Sequence, residues 1–487
     1  MIPATRLHRN TDLFAGRLRS GRMTGDADVV AARRGSYERL RAAHLHQIRA
    51  ALDDHVERVG WPRERIERYR TERLRALLGY ARERSPFHAA RMRGFEPSTA
   101  TVADLARLPP MTKREAQDEW DAIITAPRLR RAGAERILAE QTWFSYTPDG
   151  EQVFSSGGST GVRGVYVWDW SLLVTLACLA WRMQARGERD ADAVASPARL
   201  AVLEAGGPPH ASTPLFDVPI TAAMETTVIP AAQPFDEVVA AVQRARPTDL
   251  VGYASIVGRL ARAALAGSLE IAPVRVSTNS EPLTAEDRDA IQAAWNVPIH
   301  NLWGSTEIGV QAVGCGHGDG LHVCEDEVVL ERVDASGDPV GPDQPAVRTL
   351  ATGLAGTTFP FIRYDLGDEV TLLQDPCPCG SALIRVADVS GRRDDDFRYG
   401  VRTVPAGVFR DVLGTDPLIS EYQVRQTRDG AEIVVVGTPD VTVVATALED
   451  ALRRNGLAAP AVRVTAAAAI ERHPTTGKLR RFVALNQ

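Results

Sequence analysis

The chain has 487 residues, a formal charge of -5, 44% hydrophobic and 24% charged residues. That length exceeds one hydrophobic core and predicts two to four domains of ordinary globular composition. The mild negative balance gives no general attraction to nucleic acid or anionic membrane, so neither is expected as a partner, and no apolar run approaches the ~20 residues that span a bilayer.

Residues 1–35 carry no clear periodicity and read as a loose or partly helical leader. Residues 1–22 alternate Arg and His with small residues and lack the apolar core of a signal peptide. Five cysteines in so long a chain do not make a disulfide framework, and the expected location is cytoplasmic. From Ser36 to Arg93 apolar residues such as Leu74, Leu77, Leu78 and Tyr80 recur at helical spacing, punctuated by Pro62 and Pro86. From about 150 to 310 short apolar strands alternate with helical segments. The predicted strands are Glu151–Phe154, Val165–Trp168, Val194–Leu203, Thr226–Ile229 and Asp249–Val251, and the predicted helices Phe235–Arg244 and Ile256–Ala266. That alternation predicts α/β layering around a mostly parallel sheet. Beyond Val323 the pattern turns β-rich, with strands expected at Glu327–Val333, Val347–Leu350 and Glu369–Leu372. A charged turn, 391–396, links this block to a mixed C-terminal one: strand Glu432–Val436, helix Val444–Arg454 and strand Val462–Thr465.

Only two of the 57 basic residues are lysine, Lys113 and Lys478. Lys478 stands in Pro474-Thr475-Thr476-Gly477-Lys478-Leu479-Arg480-Arg481. A chain that writes nearly every cation as arginine has kept there a compact ammonium on a flexible stem, suited to an oxygen cluster that changes shape during reaction. Between two strand candidates lies Ser155-Ser156-Gly157-Gly158-Ser159-Thr160-Gly161-Val162-Arg163-Gly164, whose backbone N–H groups and hydroxyls can wrap a phosphate chain. No Gly-Lys-Ser/Thr follows at Walker spacing, and the loop opens no helix as a dinucleotide fingerprint would. Taken alone, it also reads as a hairpin tip.

Together with Trp303-Gly304-Ser305-Thr306-Glu307, Arg363-Tyr364-Asp365-Leu366-Gly367-Asp368, Gly391-Arg392-Arg393-Asp394-Asp395 and the Lys478 segment, this loop resembles the ordered core motifs of the adenylate-forming superfamily of acyl-CoA synthetases, adenylation domains and luciferases. Tyr80 through His88, Leu108-Pro109-Pro110-Met111-Thr112-Lys113 and Asn279-Ser280-Glu281-Pro282 resemble signatures of its phenylacetate–CoA ligase branch. The resemblance spans residues 65 to 487. It implies a helical leader (1–75), a large adenylation domain of layered, mostly parallel sheets with a β-rich subdomain (76–390), and a small mobile α+β domain (391–487).

The implied activity is ATP-dependent formation of an acyl-adenylate and transfer of the acyl group to the thiol of CoA or of a carrier-protein phosphopantetheine arm. Ser156, Ser159, Thr160 and Gly161 would hold the ATP phosphates, and Trp303 with Gly304 and Ser305 would lie beside adenine, in a nucleotide site that also takes Ser280, Glu281 and Pro282. Thr306 would contact the α-phosphate, and Glu307 a Mg²⁺ ion shared with the phosphates. Asp368 would accept the ribose hydroxyls and Arg392 add a further contact. Asp394 matches the hinge, and Lys478 would bridge the attacking carboxylate and the α-phosphate. The loop departs from the pattern at Gly157-Gly158 and in lacking a Lys after Gly161, where Arg163 is the substitute. Phe409 stands near where relatives often carry an acid, in a segment that forms their thiol tunnel.

Four cysteines fall in two stretches, Cys315-Gly316-His317 through His322-Val323-Cys324 and Cys377-Pro378-Cys379-Gly380. Four N/S ligands make a closed structural Zn²⁺ site. Some relatives carry zinc here, and that match implies Cys315, His322, Cys377 and Cys379, with His317 and Cys324 as alternates. Cys178 reads as a core residue. For the acid, the resemblance points to His210, in Gly206-Gly207-Pro208-Pro209-His210, and to Tyr253, and favours an aryl or arylacetic substrate. Small alkyl or amino acids fit the residues equally well. Two other readings stay open: adenylation followed by transfer to an amine or other non-thiol nucleophile, and a catalytically silent nucleotide-binding regulator.

Overall fold

The computed structural model describes residues 26–141, 144–156, 163–190, 198–219, 224–341, 344, 346–389 and 395–485, with the backbone alone for 26–36 and 188–190. Its centre is a nine-stranded sheet. Five strands are parallel, in the spatial order Ile299–Ser305, Arg275–Asn279, Asp249–Tyr253, Arg199–Glu204, Glu225–Pro230. Asp249–Tyr253 is buried along its whole length and Arg199–Glu204 at every residue after the first, as expected of parallel strands covered on both faces. Helices Phe235–Ala245, Ala254–Leu265 and Ala285–Trp295 cover one face through Val238, Val242, Ile256, Leu260 and Ile291. Helix Trp170–Asp190 and the N-terminal helices cover the other through Leu172, Leu176, Leu179 and Ile48. Full burial of each such side chain contributes roughly 1.5–3 kcal/mol.

Beyond Ser305 the sheet turns antiparallel through Gly309–Val313, Leu321–Val323 and two short strands, and a separate three-stranded sheet (Val328–Val333, Arg348–Gly353, Tyr364–Asp365) completes the β-rich block. The strand expected at Glu369–Leu372 is reduced to Leu372–Leu373. Gly367, at φ +73°, turns the chain just before Asp368, whose side chain meets the Trp303 indole.

The leader enters the core. Helix Asp26–Arg58 packs along Trp170–Asp190, and the next helix, Arg63–Arg84, starts after Pro62 and runs through residue 75. Their arginines converge on one buried acidic turn. Arg63 and Arg70 reach Glu325 at 2.6 and 2.7 Å, and Arg58 and Arg73 reach Glu327 at 2.9 and 3.1 Å. Asp326 meets the fully buried Arg182 at 2.7 Å. Among the described residues no helix is long and apolar enough to cross a membrane.

The C-terminal block is an α+β unit with its own core around Phe397, Phe409, Val424, Ile433, Leu448 and Phe482. Its four-stranded sheet runs Ala461–Ala467, Gly430–Gly437, Ile419–Gln426, Phe482–Val483. The Lys478 segment is the connection between the outermost two strands of that order.

Candidate active site at the carboxyl edge of the parallel strands

In an open parallel sheet, loops leaving the carboxyl ends of neighbouring strands make a natural crevice. Here four adjacent strands end in Ser305-Thr306-Glu307, Asn279-Ser280-Glu281-Pro282, Tyr253 and Glu204, the last followed by the Gly206–His210 loop. Residues far apart in sequence thus stand in one row. Predicted nucleotide contacts lie at one end and predicted acid contacts at the other.

At the nucleotide end Glu307 Oε1 accepts hydrogen bonds from the hydroxyls of Tyr166 (2.7 Å) and Tyr364 (2.9 Å). Burial, and then the Glu307 charge, raises both phenols well above the ordinary tyrosine value, so they remain donors. Trp168 Nε1 donates to the Thr306 carbonyl at 2.9 Å, fixing the turn from the rear. Gly304 lies so close to the next strand that a Cβ there would stand 2.7 Å from the Gly309 carbonyl oxygen. Ser305 Oγ accepts the Ile308 N–H at 3.2 Å. Trp303 is buried, and its indole N–H donates to Asp368 Oδ2 at 2.8 Å, which orients that carboxylate.

The hairpin Gln152–Ser156/Gly164–Trp168 brackets the Ser/Gly loop. Ser159, Thr160 and Gly161 lie outside the described residues, as do Arg392 and Asp394. At Ser156 the hairpin meets Lys113 Nζ at 3.3 Å, and the Ser155 N–H donates to the Pro209 carbonyl at 3.0 Å. Lys113, one of only two lysines, escaped the sequence-based site assignment although its rarity was visible. Arg163 points elsewhere, to Glu135 at 2.8 Å.

At the acid end the C-terminal block is docked onto the row. The Leu479 N–H donates to Glu281 Oε1 at 2.7 Å, and Glu281 Oε2 accepts the Ser255 N–H at 3.0 Å. Glu281 therefore joins the lysine loop to the helix after Tyr253. Ser280 carries the backbone there at φ +63°, and Pro282 follows in the same turn. Arg472 donates to Ser255 Oγ at 2.6 Å, and Arg481 meets the buried Asp287 at 3.1 Å. Gly477, at φ +73°, abuts Ala231, where a Cβ would lie 2.3 Å from the carbonyl carbon. These contacts set Lys478 Nζ 4.9 Å from the centre of the buried Tyr253 ring, at cation–π range. His210 has its pKa lowered to about 4, by burial and then by the Lys478 charge, and is neutral. Glu204, fully buried beside these groups, was not among the residues singled out by sequence.

Away from this edge, the ligand atoms of Cys315, His322, Cys377 and Cys379 lie within 4.8 Å of one another. Sγ of Cys315 and Cys377 are 3.5 Å apart, and Cys379 Sγ is 3.4 Å from His322 Nε2. Hydrogen bonding from Cys315 pulls the Cys379 thiol down toward the thiolate, the ligating form. His317 turns to the Cys315 carbonyl, Cys324 is buried outside the group, and Cys178 lies in the core.

The fold matches that of adenylate-forming ligases. No family model matches the chain. Phenylacetate–coenzyme A ligase of Thermus thermophilus is 25% identical over 383 residues, 76% of this chain and 80% of that protein. Protein CapK of Staphylococcus aureus is 29% identical over 153 residues, 31% of this chain and 32% of its own. Among solved structures, 2-hydroxyisobutyryl-CoA ligase in the postadenylation state aligns with TM-score 0.67 at 17% identity, covering 88% of this chain and 91% of that one. In its thioesterification state the same enzyme aligns with TM-score 0.56 at 20% identity, over 87% and 91%. In sequence the chain is similar to phenylacetate–CoA ligase, and in fold to the adenylate-forming ligases.

Proposed function

We propose that the protein is an AMP-forming acid–thiol ligase that activates a small carboxylic acid with ATP and passes the acyl group to a thiol. The observation that carries this reading is the docking of Lys478 over Tyr253, on the strand-end row that also bears Thr306 and Glu307. In the first half-reaction a carboxylate oxygen of the acid attacks the α-phosphorus, the bond to the β-phosphate breaks, and pyrophosphate leaves. Charge grows on the α-phosphate oxygens, and Lys478 and the Thr306 hydroxyl supply donors there. Glu307, held by two tyrosines, would hold a Mg²⁺ ion, since a lone carboxylate plus substrate oxygens is how this cation is usually bound. The ion would neutralise phosphate charge. Asp368, aligned by Trp303, would take the ribose, and Ser156 with its loop the outer phosphates.

In the second half-reaction the thiolate of CoA or of a phosphopantetheine arm attacks the acyl carbon and AMP leaves. The C-terminal domain (391–487), turning about Asp394, would carry Lys478 away between the two steps. Cys315, His322, Cys377 and Cys379 fit a structural Zn²⁺, a four-ligand N/S set that leaves no open position.

Acid-dependent exchange of labelled pyrophosphate into ATP tests the first step, and thioester formation with CoA against a loaded carrier protein tests the second. Exchange absent across a broad acid panel would remove the reading. Elemental analysis of protein purified without chelator should find one zinc per chain, lost with early melting in Cys377→Ser/Cys379→Ser. Native protein free of zinc would end that assignment.

A further inference from the structure

Glu204 is the last residue of strand Arg199–Glu204 and is fully buried. Neither carboxylate oxygen makes a well-formed hydrogen bond, although Ser212, Asn279 and Tyr253 stand near enough for weak, poorly aligned ones. Around it stand more polar atoms in the same condition: Ser212 Oγ, Tyr253 Oη, and both Nδ2 and Oδ1 of Asn279. Tyr253 and Asn279 are themselves 0% and 1% exposed. Leaving even one such group unsatisfied costs ~1–3 kcal/mol, and native interiors rarely carry six such atoms together without a function. Burial raises the Glu204 acid to about 7, against the weak hydrogen bonding of Ser212, the Lys478 charge, and the weak hydrogen bonding of Asn279 and Tyr253, so these groups face it from four segments.

The position is chemically awkward for a hydrocarbon acid. Lys478 must serve two anions, the acid's carboxylate and the α-phosphate. Ionising the buried Glu204 beside them would add a third negative charge that one ammonium cannot balance, so without a further cation the acid keeps its proton to about pH 7. A cation on the substrate would remove the conflict and satisfy the orphaned oxygens.

We propose that Glu204, with Asn279, Ser212 and Tyr253, forms a subsite for an ammonium group, so that the acid activated here is an amino acid and not an aryl or alkyl acid. This rests on the adenylation reading above and narrows it. Glu204 accepts from the ammonium, Asn279 Oδ1 and Tyr253 Oη complete its shell, and Lys478 is left to the carboxylate.

The test pairs amino acids with their deamino counterparts: phenylalanine with hydrocinnamate, leucine with isocaproate, β-alanine with propanoate. Pyrophosphate exchange and calorimetric binding are measured for each pair. At least one amino acid should outperform its partner by roughly 10⁴-fold in exchange, the discrimination of a site whose buried polar groups the wrong ligand leaves unpaired. Glu204→Gln, nearly isosteric, should reduce that ratio at least tenfold. Deamino acids exchanged as well as amino acids, with a ratio unchanged in Glu204→Gln, would overturn the subsite and leave adenylation standing. Calorimetric binding of an amino acid that weakens in Glu204→Gln without any exchange would keep the subsite and remove adenylation. Binding and exchange confined to deamino acids would overturn the subsite alone.

Discussion

Two groups of buried acids stand in opposite condition. In the turn Glu325-Asp326-Glu327 every carboxylate has at least one guanidinium within 3.1 Å, drawn from three helices. At the strand ends Glu204 is as deeply buried, yet has no guanidinium and no well-formed hydrogen bond, in the company of other polar atoms in the same condition. The first arrangement fastens the N-terminal helices to the β-rich block. The second gives up stability, and the groups that do so line the crevice where Lys478 docks. A buried acid paired with guanidinium reads as architecture and one without such a pair as a place for a ligand.

The largest effect should come from breaking the paired group. Arg182→Met leaves Asp326 with only Arg58, 3.7 Å away, and should cost about 3–5 kcal/mol in denaturant unfolding. A loss below ~1 kcal/mol would show that the acidic turn does not carry the structural burden assigned to it. Removing the cation from the other group should spare stability and affect chemistry. Lys478→Ala should slow acyl-adenylate formation by roughly 10²–10³-fold while still converting a supplied adenylate to thioester. Equal loss in both half-reactions would contradict its role.

The contrast also has a pH signature. The folded Glu204 carboxyl holds its proton to about pH 7, against an ordinary value of 4.5. Between those values the folded state binds more protons than the unfolded one, so this group's contribution to stability falls as pH rises. Relative to Glu204→Gln, the wild type should lose roughly 3 kcal/mol from pH ~4.5 to ~7, with little further change above. A flat difference would mean that Glu204 is not strained by its burial. The smallest effect concerns docking. Gly477→Ala adds a Cβ against the Ala231 backbone, and should reduce adenylation about tenfold, the scale of a modest overpacking cost, with the thioester step retained.

Much of the site was legible because its motifs are local. Trp303 through Glu307, Asp368 and the Lys478 turn each sit in a short run whose glycines and hydroxyls are recognisable without neighbours. Lys113 and Glu204 were not. Lys113 falls in a capped helix start, and its meeting with Ser156 depends on a hairpin 43 residues further on. Glu204 ends an apolar run that reads as a strand, and nothing local says whether an arginine waits for it.

Alternating apolar runs and helices determined the parallel sheet, and with it the side of the sheet where ligands gather, since periodicity follows directly from which faces are buried. The order of strands along that edge, the clamp from Glu281 to Leu479, and the gathering of Cys315, His322, Cys377 and Cys379 were decided by tertiary structure alone. So was the difference between Glu325, which found its arginines, and Glu204, which did not. Burial and pairing are properties of what packs around a carboxylate, and those neighbours come from segments that no local pattern connects.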